Sequence, residues 1–203
     1  MDSLLLSEEL ESTVYRPLAA RLRPTSVKEF IGQPHLLSPG RSIFEAIEHQ
    51  QPHSMILWGP PGVGKTTLAK IIANACECHF ESISAVLAGV KEIRSTIEQA
   101  RFQQLNSARK TILFVDEVHR FNKAQQDAFL PHIEDGTILF IGATTENPSF
   151  ELNNALLSRA RVYLLKALTK VDLIAVIDNA LTDESRGLGK LKLKLTDDQK
   201  STL

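Results

Sequence analysis

The chain has 203 residues, 43% of them hydrophobic, enough to bury a full core, and its length fits one domain with part of a second. A formal net charge of -1 exerts no global pull toward nucleic acid, so a DNA contact needs a local basic patch. No apolar run approaches a membrane span, and acidic residues stand where a signal peptide carries basic ones, so a cytoplasmic protein without a membrane partner is expected. The two cysteines, Cys76 and Cys78, are too close for a comfortable disulfide and lack a second pair to complete a zinc site. With His79 they read as buried thiols at the end of a core helix rather than as a metal site, in a reducing compartment.

In chain order, residues 1–15 are weakly patterned and expected to be mobile, whereas 16–33 alternate basic, apolar and proline residues as an ordered lead-in does. The core is expected from about Arg41, beginning with a helix over 41–50 and a buried strand over 55–58. A glycine-rich loop follows, then a helix over 66–77, a strand over 80–83, a helix over 90–107 and a strand over 111–115. A helix over 121–133, a strand over 137–141, a short helix over 153–158 and a strand over 161–165 complete the alternation. Alternating helices and strands predict an α/β three-layer fold around a five-stranded parallel sheet, and near-continuous apolar runs such as Ile112-Leu113-Phe114-Val115 are what a sheet covered on both faces requires. Beyond Ala167 come a helix over 170–182, a polar stretch over 183–189 and a helix start at Thr196. One long helix and the beginning of another cannot bury their apolar faces alone, so 168–203 are expected to be the start of a second domain after a nucleotide-binding domain over 16–167.

Four sets of residues carry chemistry. Gly59, Pro60, Pro61, Gly62, Val63, Gly64, Lys65 and Thr66 form a P-loop between a strand and a helix that continues with Thr67. There the backbone N–H groups converge on phosphate oxygens and the glycines let the main chain approach without a Cβ in the way. Lys65 is expected to neutralise the β- and γ-phosphates and Thr66 to offer its hydroxyl to Mg²⁺. Asp116 and Glu117 follow a buried strand that a parallel sheet returns to the phosphates: Asp116 is read as the Mg²⁺ residue and Glu117 as the residue that polarises the attacking water. Thr144 and Thr145, at the next strand end, are read as groups that sense the γ-phosphate and orient water. Arg159 falls at the domain edge and is read as a finger supplied to a neighbour's nucleotide, with Arg161 read as a surface cation.

Together these motifs resemble the AAA+ ATPases and, within their clamp-loader-like branch, the replication-associated recombination protein A family, also called MgsA and related to Werner-helicase-interacting protein. The resemblance runs from about residue 16 to the end and rests on 18–24, Ile31-Gly32-Gln33, 116–123, 129–136 and 144–150. It implies a DNA-dependent ATPase, using ATP and Mg²⁺, that acts in replication fork maintenance, recombination and DNA repair. It also implies a homo-oligomer, association with single-strand-binding protein and the replication machinery on single-stranded or forked DNA, and a nucleoid-associated place in the cytoplasm. By the same resemblance Arg23, Pro24, Ile31, Gly32 and Gln33 pack around the adenine, and Lys91 and Arg94 are candidate DNA-facing cations by analogy with clamp loaders, while two lone charges read first as a solvated helix face. Val63 stands where the family commonly has Thr, and the chain ends before the second sensor arginine of the helical lid and the C-terminal oligomerisation region. Three other readings stay open: a helicase of the Asp-Glu-x-His type through residues 116–119, a small-molecule kinase, and a nucleotide-binding module that does not hydrolyse.

Overall fold

The computed structural model describes residues 16–107, 109–196 and 199–200, and the expectation for residues 1–15 lies outside them. The chain divides into two compact units, one spanning 25–167 and the other made of the described residues up to Pro24 with those from Leu168 onward. The helices, in chain order, are α1 (Leu18–Arg21), α2 (Pro34–Leu37), α3 (Ser42–Glu48), α4 (Lys65–Ala75), α5 (Val90–Ser107), α6 (Lys123–Asp127), α7 (Leu130–Glu134), α8 (Pro148–Glu151), α9 (Asn154–Leu157) and α10 (Lys170–Thr182).

In the 25–167 unit, strands β1 (Met55–Trp58), β2 (His79–Ser84), β3 (Thr111–Asp116), β4 (Ile138–Thr144) and β5 (Arg161–Leu164) form one parallel sheet in the order β2-β3-β4-β1-β5. The two-residue period of a strand sends alternate side chains into different cores. Leu113 and Val115 join Ile56, Ile93, Ile97, Phe129 and Phe140 in one, whereas Ile112 and Phe114 join Leu57, Leu68, Ile72 and Ile141 in the other. Each such side chain removed from water contributes about 1.5–3 kcal/mol, which is why the sheet interior reads as an unbroken apolar run.

Three boundaries differ from the sequence expectations. The predicted helix over 121–133 is two helices, α6 and α7, because Pro131 has no N–H to donate back to Asp127 and its ring crowds that carbonyl. β4 runs on to Thr144, through Gly142, where a Cβ would lie 2.9 Å from Ile56 Cδ1 and 3.1 Å from Val118 Cγ1. Glycine there permits close packing inside the strand rather than ending it. The core also starts before Arg41: Leu36 and Leu37 of α2 are buried against the β1 side of the sheet, with Val27 and Phe30 packed beside them. A four-residue helix opened by Pro34 is too short to show a helical period.

In the other unit, α10 opens on a capping box in which Thr169 Oγ1 accepts from the Asp172 N–H at 3.2 Å and Asp172 Oδ2 accepts from the Thr169 N–H at 2.8 Å. The helix ends at Asp183, whose carboxylate accepts from the backbone N–H groups of Arg186 and Ser185 and is held far below the ordinary carboxylate range by them. A reciprocal pair of bonds between Thr196 and Gln199 marks the next helical start. Val171, Leu173 and Val176 of α10 are exposed. No helix among the described residues is long and apolar enough to cross a membrane.

Candidate functional site

The loop after β1 is shaped by its glycines and by what packs against them. A Cβ on Gly59 would lie 2.3 Å from the carbonyl oxygen of Leu165, so only glycine lets the end of β1 pass the end of β5 this closely. Gly62 and Gly64 have φ of +77° and +95°, in the left-handed region, and a Cβ on Gly64 would meet the Phe30 ring at 2.7 Å. Phe30 therefore lies directly against the loop, a neighbour that the sequence motif does not reveal. Pro60 and Pro61 are exposed, while Val63 is buried in the core, so its side chain anchors the loop and leaves the backbone to face outward.

Lys65 opens α4 and is only 8% exposed. Its Nζ donates to the carbonyls of Gly59 at 2.7 Å and Pro60 at 2.9 Å. Burial pushes the ammonium below the ordinary lysine range, partly offset by the nearby carboxylates of Glu117 and Asp116. A buried cation whose direct partners are two neutral carbonyls is suited to receive an anion, and the left-handed glycines beside it leave the backbone open to phosphate oxygens. Thr66 and Thr67, the next residues of α4, are half-buried. A threonine hydroxyl and an aspartate carboxylate are hard oxygen donors that match Mg²⁺, so the residues present fit a magnesium nucleotide.

The strand order decides what stands beside the loop. β4 lies between β1 and β3, so the loop, the end of β4 and the end of β3 share one edge of the sheet. Trp58 is level with Thr144, and the Gly59 N–H donates to the Thr144 carbonyl at 3.1 Å. Asp116 is the last residue of β3 and is half-buried. Glu117 turns the chain with φ of +54°, a backbone conformation costly for a non-glycine residue, by roughly 1–3 kcal/mol. Its N–H donates to Asp116 Oδ1 at 3.2 Å.

Thr144 is fully buried, and its hydroxyl accepts from the Glu146 N–H at 3.0 Å. The imidazole of His119 stands between this hydroxyl and Glu117: Nδ1 is 2.9 Å from Thr144 Oγ1 and 3.5 Å from Glu117 Oε2. His119 enters the sequence reading only as a letter of the 116–123 family stretch and of a helicase-like tetrapeptide, because residues 25 apart in the chain give no sign of meeting. Thr145 is half-buried at the strand end.

The remaining predicted residues are spread more widely. Arg159, just past α9, is paired within its own chain: Nε donates to Glu134 Oε1 at 2.7 Å and Nη2 to the same oxygen, while Nη1 donates to the Ala155 carbonyl at 2.8 Å. It lines an open groove of about 620 Å³ with Ser42, Ser158, Arg161 and Tyr163. Gln33 is buried, and its side-chain amide brackets the Lys166 backbone, donating to its carbonyl at 2.7 Å and accepting from its N–H at 2.8 Å. Ile31 and Gly32 are half-buried beside it, whereas Arg23 and Pro24 belong to the other unit. Lys91 and Arg94 are exposed on α5. Cys76 and Cys78 are free, half-buried thiols, Cys76 pushed up to about 11 mainly by burial, and no group of three His, Cys, Asp or Glu among the described residues is placed to hold a metal ion.

Residues 55–168 match the family model of the ATPase family associated with various cellular activities (AAA). Replication-associated recombination protein A of Escherichia coli is 60% identical over 198 residues, which is 98% of this chain and 44% of that protein. The ATPase WRNIP1 of Dictyostelium discoideum is 49% identical over 167 residues, 82% of this chain and 19% of that protein. The chain thus spans less than half the length of either relative. Among solved structures, the RuvB Holliday junction branch migration motor of Thermotoga maritima matches with a TM-score of 0.68 at 30% identity, over 89% of this chain and 58% of that one. The family model takes in all five strands, the loop over 59–66 and the acidic end of β3, and the chain belongs to the AAA family of ATPases.

Proposed function

We propose that this chain binds ATP with Mg²⁺ in the loop over 59–66 and hydrolyses it as part of a DNA-dependent ATPase that maintains replication forks and acts in recombination and repair. The observation that carries the reading is the adjacency of β1, β4 and β3, which sets the loop, Thr144 and the Asp116–Glu117 pair along one sheet edge. The names of the relatives, tied to replication-associated recombination and to Holliday junction branch migration, support the DNA setting.

In this reading the backbone of 59–64 holds the phosphates, and Lys65 leaves its two carbonyls for the β- and γ-phosphate oxygens. Thr66 and Asp116 hold the metal, whose charge compensates the phosphates when bound. Glu117 takes a proton from the attacking water, while Thr144 and Thr145 orient that water and register the γ-phosphate. Arg159 leaves Glu134 to reach the nucleotide of a neighbouring copy, so hydrolysis depends on homo-oligomer assembly. Residues 16–167 form the nucleotide-binding domain and 168–203 the start of its helical lid, with Ile31, Gly32 and Gln33 beside the adenine. Single-stranded or forked DNA, single-strand-binding protein and the replication machinery are the partners, met in the cytoplasm at the nucleoid.

The test is phosphate release from Mg·ATP without an added acceptor, measured with and without single-stranded and forked DNA. The expected result is turnover that rises with DNA and falls by about 100-fold or more in Glu117→Gln, with ATP affinity kept. Equal turnover in Glu117→Gln and the unaltered chain would sink the assignment.

A further inference from the structure

His119 has no part in the roles assigned above, yet it touches both Thr144 at the end of β4 and the Glu117 carboxylate. The imidazole is 13% exposed, and its Nδ1 faces Thr144 Oγ1 at 2.9 Å and Glu117 Oε2 at 3.5 Å. The partners fix where its proton sits. Glu117 offers only acceptors when ionised, and the Thr144 hydroxyl has a place for its own hydrogen on the Glu146 carbonyl, 3.3 Å away. Both neighbours are served when Nδ1 carries the hydrogen and donates. The two distances then describe a donor resting on Thr144, with the carboxylate just outside good hydrogen-bond range.

Thr144 is in turn tied to the loop, because its carbonyl accepts from the Gly59 N–H at 3.1 Å. A continuous path therefore runs from the loop backbone through Thr144 and the imidazole to Glu117. We infer that His119 is a positioning residue: its Nδ1–H is shared between Thr144 and Glu117, so that a shift of this strand end when phosphate engages the half-buried Thr145 hands the donor to the carboxylate and aims it at the water. This rests on the reading of Glu117 as the water-activating group. The shift needed is small, since the gap to Glu117 exceeds that to Thr144 by only the difference between 3.5 and 2.9 Å. Val118, fully buried beside Gly142 of β4, anchors the short 3₁₀ turn Val118–Arg120 that carries His119.

Two measurements test it on the full chain. In the first, ATP affinity and turnover are compared for His119→Ala, His119→Asn and His119→Gln, with Glu117→Gln in parallel and melting temperature followed throughout. The Asn amide nitrogen sits as many bonds from Cβ as Nδ1 does, whereas the Gln nitrogen sits one farther. The expected pattern is affinity within about twofold, turnover down about tenfold or more in His119→Ala and His119→Gln, and most of it regained in His119→Asn. Unaltered turnover in His119→Ala beside an inert Glu117→Gln overturns the role of His119 and leaves the ATPase reading standing. Unaltered turnover in Glu117→Gln overturns both.

The second measurement does not need turnover: ¹⁵N imidazole NMR of the chain with and without Mg²⁺ and a non-hydrolysable ATP analogue. A protonated Nδ1 whose signal moves on saturation, and no longer moves in Thr144→Val, is expected. A bare Nδ1, or a signal that saturation with nucleotide leaves unmoved, overturns the inference.

Discussion

Lys65 shows how one side chain can be legible in sequence and still hold a surprise in place. Its position after Gly64 points to phosphate, but its resting partners are the carbonyls of Gly59 and Pro60, with its charge disfavoured by burial. A lowered pKa leaves a growing fraction of Lys65 neutral as pH climbs toward the ordinary lysine value. Phosphate anions favour the charged form, so nucleotide binding at alkaline pH should take up protons and weaken as pH rises through that range. Calorimetry in buffers of different ionisation enthalpy reads this directly: a buffer-dependent heat is expected there, and its absence would mean that Lys65 is fully charged before binding. Lys65→Ala should weaken ATP binding itself, unlike Glu117→Gln.

At the scale of elements, the segment carrying Arg159 is held by a buried glutamine as well as by the apolar contacts of Leu152, Leu156 and Ala160. Gln126 of α6 is 2% exposed, and its Nε2 donates to the carbonyls of Phe121 at 2.9 Å and Glu151 at 3.1 Å, while its Oε1 accepts from the Asn153 N–H at 2.8 Å. One side chain thus ties α6 to the junction of α8 and α9. Gln126→Leu should lower stability by about 1–3 kcal/mol, because three backbone groups lose their partner in a place that water does not reach readily. Urea unfolding followed by circular dichroism checks this, and an unchanged midpoint would show that the junction relaxes to other partners. Gln126 sits among Lys123, Gln125 and Asp127 in a short, mostly polar helix. The period of a five-residue helix is too short to mark the one polar residue that points inward.

At the scale of the whole molecule, the proposed role of Arg159 makes hydrolysis depend on assembly, which can be tested. Its pairing with Glu134 involves side chains 35% and 53% exposed, and such a pair contributes only about 0–1 kcal/mol, so little opposes its release toward a neighbouring copy. With an arginine finger worth about 10³ to 10⁵ in rate, Arg159→Ala should keep near-normal ATP affinity while losing most hydrolysis. Adding a Lys65→Ala subunit, whose own Arg159 is intact, should restore part of the activity. Failure of this mixing experiment, with assembly confirmed by light scattering, would make Arg159 a surface residue of its own chain.

The alternation of apolar strands and helices, and the loop over 59–66 with the acids after the third strand, are local patterns, so the parallel sheet and the AAA family resemblance were legible in the chain alone. The sequence determined less where short-range steric effects override periodicity, as at Pro131, which divides a helix, and Gly142, which lies inside a strand. Only the tertiary structure decided that β4 inserts between β1 and β3, that Phe30 leans on Gly64, that Glu134 holds Arg159 and that His119 stands between Thr144 and Glu117. Those contacts join residues far apart in the chain. Strand order and side-chain packing create them, and neither leaves a period or spacing for a single sequence to display.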